Sequence, residues 1–445
     1  MRPNEKFNKL LIVDPNSAPQ HNNYNQPLGD PVPNWKAVPV PSSESLIGKY
    51  CRLDVLEKHH KNDLSKILND KSTTSQYWRS YHGNFQKEDV VQNDAIEQFL
   101  FKTPTDLEFP SRIVFVIKSS SDSSIKGVAE FRNILPIFGD MGISVICSTK
   151  DSEDIGQEAG ILLIERAISL GYRRCEWRCN AQDEYSVDMA LKLGLRFECV
   201  LRSSRVRNNH NVDEVLLAIT DKEWRQKMEK SPEKLSSKLE SDKEEFKARL
   251  NELKIAAPEV DENGLRLSFP VPNWSPRPSP KEGLLKGRLC RLELLEHRHA
   301  EDLYNVYHQS ADDRDWTYLF ASRPTSVEGF KEWFDQMNTV KNRVSVAIVC
   351  NETNKAVGTA AFLRIDPENG VLEIGIASYR YGFTFEGILR QDVVIKGRNY
   401  DVCMFSIIDK EWPKINEAIS SWLAPKNFDQ DGKQVKRLDE YMKDI

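Results

Sequence analysis

Few residues in this chain are of a type and spacing that could do chemistry. The most suggestive stretch is Asp151-Ser152-Glu153-Asp154-Ile155-Gly156-Gln157. After it, Gly160, Leu163, Ile164, Ala167 and Ile168 recur at i, i+3, i+4 spacing, which predicts a helix over 158–170, stopped by Gly171. The N–H groups at the start of a helix lack partners, and a phosphate placed there meets both them and the positive end of the dipole. Ile155, Gly156 and Gln157 are therefore candidate phosphate donors through the backbone. The carboxylates of Asp151, Glu153 and Asp154 oppose this, each close like-charge contact costing on the order of 1 kcal/mol in a solvated site.

Other candidates are more scattered. Ser186 opens a short helical stretch, 186–193, that ends at Gly194, and a serine there reads as an N-cap. Glu373 is either a general base acting through water or a solvated strand-end carboxylate. Arg202, Arg205 and Arg207 form a basic cluster, read as a solvated edge or as a seat for an acidic group. His60 and His299 lie on helix faces, where a structural role is the commoner one. The eight cysteines include no CxxC pair, so no metal site is expected, and the thiols read as free and buried in a reducing compartment. Cys175, Trp177 and Cys179 share one face of a predicted strand, which reads as core packing.

Composition narrows the function classes. The chain has 445 residues, 39% hydrophobic and 29% charged, with a net charge of −5. That is an ordinary globular balance with room for two or three domains. It has no basic footprint for nucleic acid. No apolar run is long enough to span a bilayer, and the amino terminus is not patterned as a secretory signal, so a cytoplasmic location is expected.

The elements that must position these residues occur twice. Pro31-Val32-Pro33-Asn34-Trp35 recurs as Pro270-Val271-Pro272-Asn273-Trp274, and Cys51-Arg52-Leu53 as Cys290-Arg291-Leu292, both 239 positions later. Gly127, Phe131 and Pro136 match Gly358, Phe362 and Pro367 at 231, so the first copy has a longer loop between Trp78 and Arg112. Phe197-Glu198, Leu201-Arg202 and Asp221-Lys222-Glu223-Trp224 match Phe385-Glu386, Leu389-Arg390 and Asp409-Lys410-Glu411-Trp412 at 188. This last fall means that the second copy lacks about 45 residues near Tyr379-Arg380-Tyr381, and the match of Gly142 with Gly375 makes Asp140 the counterpart of Glu373. Strands are expected at 50–55, 113–118, 127–132, 141–147, 175–179, 197–203 and 213–219, with the 158–170 helix as the one crossover. The expected fold class is α+β, a mixed central sheet flanked by helices in two tandem domains. The boundaries are a disordered amino terminus, 1–30; a first domain, 31–224; a solvated charged helical linker, 225–264; an incomplete second domain, 265–425; and a charged tail, 426–445.

Leu170-Gly171-Tyr172-Arg173-Arg174-Cys175-Glu176-Trp177-Arg178-Cys179-Asn180, together with Leu193-Gly194-Leu195-Arg196-Phe197-Glu198 and Tyr381-Gly382-Phe383-Thr384-Phe385-Glu386, resembles segments of the GNAT (GCN5-related N-acetyltransferase) superfamily. The branch it is most similar to acetylates amino termini of ribosomal proteins. Trp316-Thr317-Tyr318-Leu319 and Glu373-Ile374-Gly375 also resemble branch features. The resemblance implies acetyl-CoA as cosubstrate, held in a wedge between two splayed strands that include Val145 and Cys147. Its pyrophosphate would lie on the helix start at Ile155, Gly156 and Gln157. A primary amine would attack the thioester directly, with Ser186 protonating the leaving thiolate or touching the cofactor. Asp183 stands where the branch has Asn, and the loop before the helix is acidic where the family's is glycine-rich. The missing 45 residues imply that the second copy cannot bind acetyl-CoA alone. A catalytically dead module that binds a protein partner is the rival reading.

Overall fold

The computed structural model describes residues 20–69, 111–147, 153–207, 209–228, 232–256, 259–260, 266–280, 285–309, 312–375 and 381–442. The small strands β1 (Gln20–His21) and β2 (Pro27–Leu28) pair near the amino terminus. Then come β3 (Leu46–Ile47), β4 (Cys51–Val55), helix α1 (Lys61–Asn69), β5 (Arg112–Ser119), β6 (Ile125–Leu135), β7 (Asp140–Cys147), α2 (Glu153–Ser169), β8 (Arg174–Asn180), α3 (Glu184–Lys192), β9 (Arg196–Arg207) and β10 (His210–Thr220). Helices α4 (Asp221–Met228) and α5 (Pro232–Glu252) and the short pair β11 (Glu259–Val260) and β12 (Arg266–Leu267) lead into the second half. That half holds β13 (Cys290–Leu294), α6 (Ala300–Tyr307), α7 (Val327–Thr339), β14 (Val344–Cys350), β15 (Ala356–Asp366), β16 (Val371–Ile374), β17 (Thr384–Ile395), β18 (Arg398–Ser406), α8 (Trp412–Leu423) and α9 (Leu438–Tyr441).

The strands form one ten-stranded sheet, ordered β18-β17-β9-β10-β8-β7-β6-β5-β4-β3, and a four-stranded antiparallel sheet, β13-β14-β15-β16. In the large sheet every neighbouring pair is antiparallel except β7 with β8, because α2 carries the chain across between those two. Alternation along β7 puts Met141, Ile143, Val145 and Cys147 on the face that meets Ala159, Leu163, Ile164 and Ala167 of α2 in the main core. Cys175 and Trp177 lie in this core and Cys179 packs against it, as alternation predicts.

The same local constructions recur in both halves. Asn34 and Asn273 each have φ 57°, a left-handed turn that asparagine tolerates. Each turns a tryptophan onto a later glycine: Trp35 donates to Ile137 O beside Gly139, and Trp274 to Glu368 O beside Gly370. Arg173 and Arg277 stack on those two indoles. His60 Nδ1 accepts Glu57 N–H and His299 Nδ1 accepts Glu296 N–H, so both histidines cap a helical turn.

Residues 188 positions apart also exchange partners across a seam where β17 lies on β9. Strand β17 pairs with β9 at one position, Gly387 opposite Cys199. A Cβ on Gly387 would sit 2.0 Å from Glu198 O, so only glycine permits this approach. Arg202 N donates to Glu386 Oε1 at 2.9 Å, and Arg390 N to Glu198 Oε1 at 3.1 Å. The Arg202 guanidinium reaches Glu411 and Ser406 O, and that of Arg390 reaches Glu223 and Ala218 O. Each contact has a mate related by a local twofold axis through the Gly387–Cys199 pair. Arg202 is thus an interface residue, and Arg205 pairs with Glu214 at 2.9 Å.

Three expectations are corrected. Residues 20–30 of the amino terminus are ordered against the second half: Arg398 Nη1 donates to Gln20 Oε1 and Gly29 O, and Tyr318 OH to Pro27 O. Residues 1–19, the loop between Trp78 and Arg112 up to residue 110, and Tyr379 and Arg380 lie outside the described residues. Helix α5 is not a solvated linker. Its stripe of Leu239, Phe246, Leu250 and Leu253 packs on the first core, Lys243 pairs with Asp188, and Arg249 donates to Phe385 O. The crossover helix starts at Glu153, five residues before its expected start.

Candidate active site

The site is created by a strand pair that stops pairing. Strands β7 and β8 are in register only from Asp140–Arg174 to Gly142–Glu176. Beyond that, β8 stays paired with β10 as far as Asn180, while β7 stays with β6 as far as Cys147. The two walls therefore diverge, and their facing backbone groups have no strand partner across the gap. The cleft is narrow, with a volume of about 30 Å³, and opens to solvent. Val145, Cys147, Trp177, Cys179, Ser186 and Met189 are among the residues that line it.

Helix α3 positions Ser186. Its N-cap is Asp183, whose Oδ1 accepts Ser186 N–H at 3.0 Å. The helix begins at Glu184, so Ser186 is its third residue and the reading of Ser186 as the N-cap is corrected; aspartate caps at least as well and sits three residues earlier. The Ser186 hydroxyl is thereby free of capping. It accepts Trp177 Nε1–H at 2.9 Å, so its own hydrogen is directed elsewhere, toward Cys179 or the cleft. Burial pushes the Cys179 thiol up, and that of Cys147 up to about 12, so both stay protonated at neutral pH.

Helix α2 places its amino-terminal end beside the cleft. A Cβ on Gly156 would lie 3.0 Å from Cys147 Sγ and 3.3 Å from Met189 Cε, so the missing side chain is what lets the first turn press on the cleft wall. With the helix starting at Glu153, the N–H groups left without intrahelical partners are those up to Ile155. Ile155 keeps its expected place, whereas Gly156 and Gln157 fall within the hydrogen-bonded ladder. Asp154 is exposed on this first turn, and the backbone of Asp151 and Ser152 lies outside the described residues.

Glu158, one turn into α2, is a residue that sequence reasoning did not single out. Its Oε1 accepts Lys49 N–H, and its Oε2 accepts Tyr50 N–H and Cys51 N–H, all at 2.7 Å. The turn between β3 and β4 thus closes on a helix carboxylate, and Gly48 makes room for it. This fixes the cleft end of α2 to the far side of the sheet. The sequence signal was a lone Glu–Gly pairing over a hundred residues apart, which no local pattern exposes.

On the opposite sheet face, Arg132 reaches over Gly142 and donates to Arg178 O at 2.7 Å, spanning the root of the gap. Glu214 binds Arg178 and Arg205 at 2.5 and 2.9 Å. Burial would raise the Glu214 carboxyl, but the two guanidiniums outweigh it and hold it down at about 2. Glu130, beside Arg112, is pushed up to about 8 by burial. Glu373 pairs with Arg364 at 3.3 Å on β16, outside this cleft. Among the described residues no helix is long and apolar enough to cross a membrane.

No protein-family model matches the chain, and no curated protein is similar to it. Among solved structures, a GCN5-related N-acetyltransferase from Brucella melitensis is 32% identical over 38% of this chain and 99% of its own length, with a TM-score of 0.37. A probable acetyltransferase of the GNAT family from Chromobacterium violaceum is 23% identical over 47% of this chain and 100% of its own, at 0.40. A ribosomal L7/L12 alpha-N-protein acetyltransferase solved with coenzyme A is 15% identical over 40% of this chain and 98% of its own, at 0.34. The solved structures that this chain is similar to are GNAT acetyltransferases, each covering less than half of it, and the fold is GNAT-like.

Proposed function

We propose that residues 31–224 form an N-acetyltransferase domain that moves the acetyl group of acetyl-CoA to a primary amine, a protein amino terminus or a small amine. Residues 265–425 are then a second, shortened copy with no chemistry of its own. The observation that carries this reading is the divergence of β7 from β8 after Gly142 and Glu176, with the start of α2 pressed against the same wall at Cys147. An extended amide-bearing chain can satisfy the backbone groups of the diverging walls. Its pyrophosphate would then meet the N–H groups at the start of α2. The recurrence of the Trp35 construction at Trp274 supports the duplication. Only nine residues separate the end of β16 from the start of β17, which leaves no length for a crossover helix and its strand.

In the proposed reaction the amine nitrogen attacks the thioester carbonyl carbon and the C–S bond breaks. The thiolate takes the Ser186 hydroxyl proton, which solvent replaces, and the amine proton leaves to water. The Trp177 N–H bond to Ser186 Oγ polarises that hydroxyl and fixes its direction. Holding the two reactants together supplies most of the acceleration.

The test is calorimetry of the full chain with acetyl-CoA, followed by a thiol-release assay with amine acceptors. Ser186→Ala is expected to lower kcat by about 100-fold while leaving acetyl-CoA affinity nearly unchanged. A second reading, a non-catalytic protein-binding module, is favoured by the exposed Asp154 carboxylate at the phosphate seat. Absence of acetyl-CoA binding at millimolar concentration would decide for it.

A further inference from the structure

The seam between the halves reaches the paired root of β7 and β8 at Arg174, whose side chain is wholly buried. Its Nη1 donates to Glu198 Oε2 at 2.6 Å and to Arg390 O at 3.2 Å. Its Nη2 donates to Glu176 Oε2 at 3.1 Å, and its Nε lies 3.3 Å from Asp140 Oδ1 and 4.0 Å from Asp392 Oδ1. Asp140 and Arg174 are the first in-register pair of β7 and β8, and Glu176 belongs to the last. One guanidinium therefore ties together the whole paired stretch from which the walls diverge. Glu198 hands this network to the second half, because its other oxygen accepts Arg390 N and Nε at 3.1 and 2.8 Å.

Here the local twofold fails. Glu198, Cys199 and Arg202 have mates in Glu386, Gly387 and Arg390, but among the described residues no arginine of the second half pairs with Glu386 as Arg174 pairs with Glu198. The seam is symmetric in its own contacts and acts on one cleft only.

We propose that β17 is a positioning element for the cleft of the first half: by closing over Arg174 it fixes the strand pair from which the walls part, and Arg390 and Asp392 are positioning residues for the reaction carried out there. The inference rests on the proposed acetyl transfer for its catalytic part. The physical reason is dielectric. Arg174, on β8, meets β7 through one charge contact, Asp140 at 3.3 Å, backed by Glu176 and Glu198; such pairs are strong only while dry, and β17 closes over them.

The experiment compares full-length wild type with Gly387→Val, Arg390→Ala, Arg390→Lys and Asp392→Asn. Hydrogen exchange is followed at residues 140–142, 174–176 and 199, and kcat and KM for acetyl-CoA are measured. Gly387→Val and Arg390→Ala are expected to speed exchange at 140–142 and 174–176 by at least about tenfold and to raise KM for acetyl-CoA by about tenfold. Arg390→Lys, which keeps the charge and loses the fork, should fall between Arg390→Ala and wild type in both readouts. Faster exchange at residue 199 with unchanged exchange at 174–176 and unchanged KM would overturn the proposal. If the valine variant does not fold, Arg390→Ala and Arg390→Lys decide on the same two readouts. A wild type without acetyl transfer refutes the proposed function instead, and exchange at 174–176 then still decides whether β17 holds the strand pair.

Discussion

Removing the Glu158 carboxylate is the most exposing perturbation of this architecture. In Glu158→Ala, three backbone N–H groups lose a charged acceptor at 2.7 Å. Those of Lys49 and Tyr50 lie at the surface and regain water, so each costs about 0.5–1 kcal/mol. Cys51 is buried, and its N–H left without a partner costs about 1–3 kcal/mol. The expected loss is about 2–5 kcal/mol, equivalent to a fall in Tm of roughly 4–20 °C for a unit of this size. Glu158→Gln keeps one carbonyl oxygen for Tyr50 and Cys51 and turns an NH2 toward Lys49, so it should lose about half as much. Differential scanning calorimetry of the two variants reads both numbers. Acetyl-CoA affinity should fall with stability, because the same carboxylate anchors the end of α2 that faces the cleft. A Tm within 2 °C of wild type in Glu158→Ala would refute the reasoning, since it would mean that water replaces the carboxylate at all three groups.

Glu214 has a folded pKa of about 2 against an ordinary 4.5, so its contribution of about 3 kcal/mol is present above pH 4.5 and lost as pH falls toward 2. Urea titrations from pH 6 to pH 3 should show a steeper loss of stability in wild type than in Glu214→Gln. Asp392 has the opposite sign. Burial outweighs the pull of Arg174 and Arg364, and Glu176 and Glu198 add to the rise, so its pKa is about 6 rather than 3.8. It therefore favours folding by about 3 kcal/mol more below pH 3.8 than above pH 6. Asp392→Asn should remove that component, leaving the variant relatively more stable than wild type at pH 8. Gly156→Leu should cost about 1–3 kcal/mol by overpacking against Cys147 and Met189. It should also weaken acetyl-CoA binding by about tenfold, as calorimetry would read.

What the sequence disclosed was what local pattern controls. The strands showed in their β-branched runs, α2 in the spacing of Leu163, Ile164 and Ala167, and the duplicated segments in a constant residue offset. The start of α2 was misplaced because Glu153 and Asp154 read as a loop unfit for phosphate. Acidic residues are also the ones that stabilise the first turn of a helix, and here that tendency wins. The stripe on α5 was visible, but its destination was not: a four-residue apolar stripe suits a weak helix in water as well as one docked on Phe197. The seam was hidden for another reason. Glu198 with Arg202 and Glu386 with Arg390 appear in each repeat as close neighbours, and that pattern suggests a pairing within each repeat. Only three-dimensional placement exchanges the partners.

The exchange of strands across that seam sets a constraint on biosynthesis. Cys199 waits for Gly387, roughly 190 residues behind it on the ribosome, so at about 5–20 residues per second β9 stays an open edge for on the order of 10–40 s. Through that interval the nascent chain carries one open strand edge, with Glu198 and Arg202 among the charged residues that guard it. Translation speed over the second half, and not the intrinsic folding rate of the first, therefore sets how long a growing chain is at risk of pairing with its neighbours on the same message.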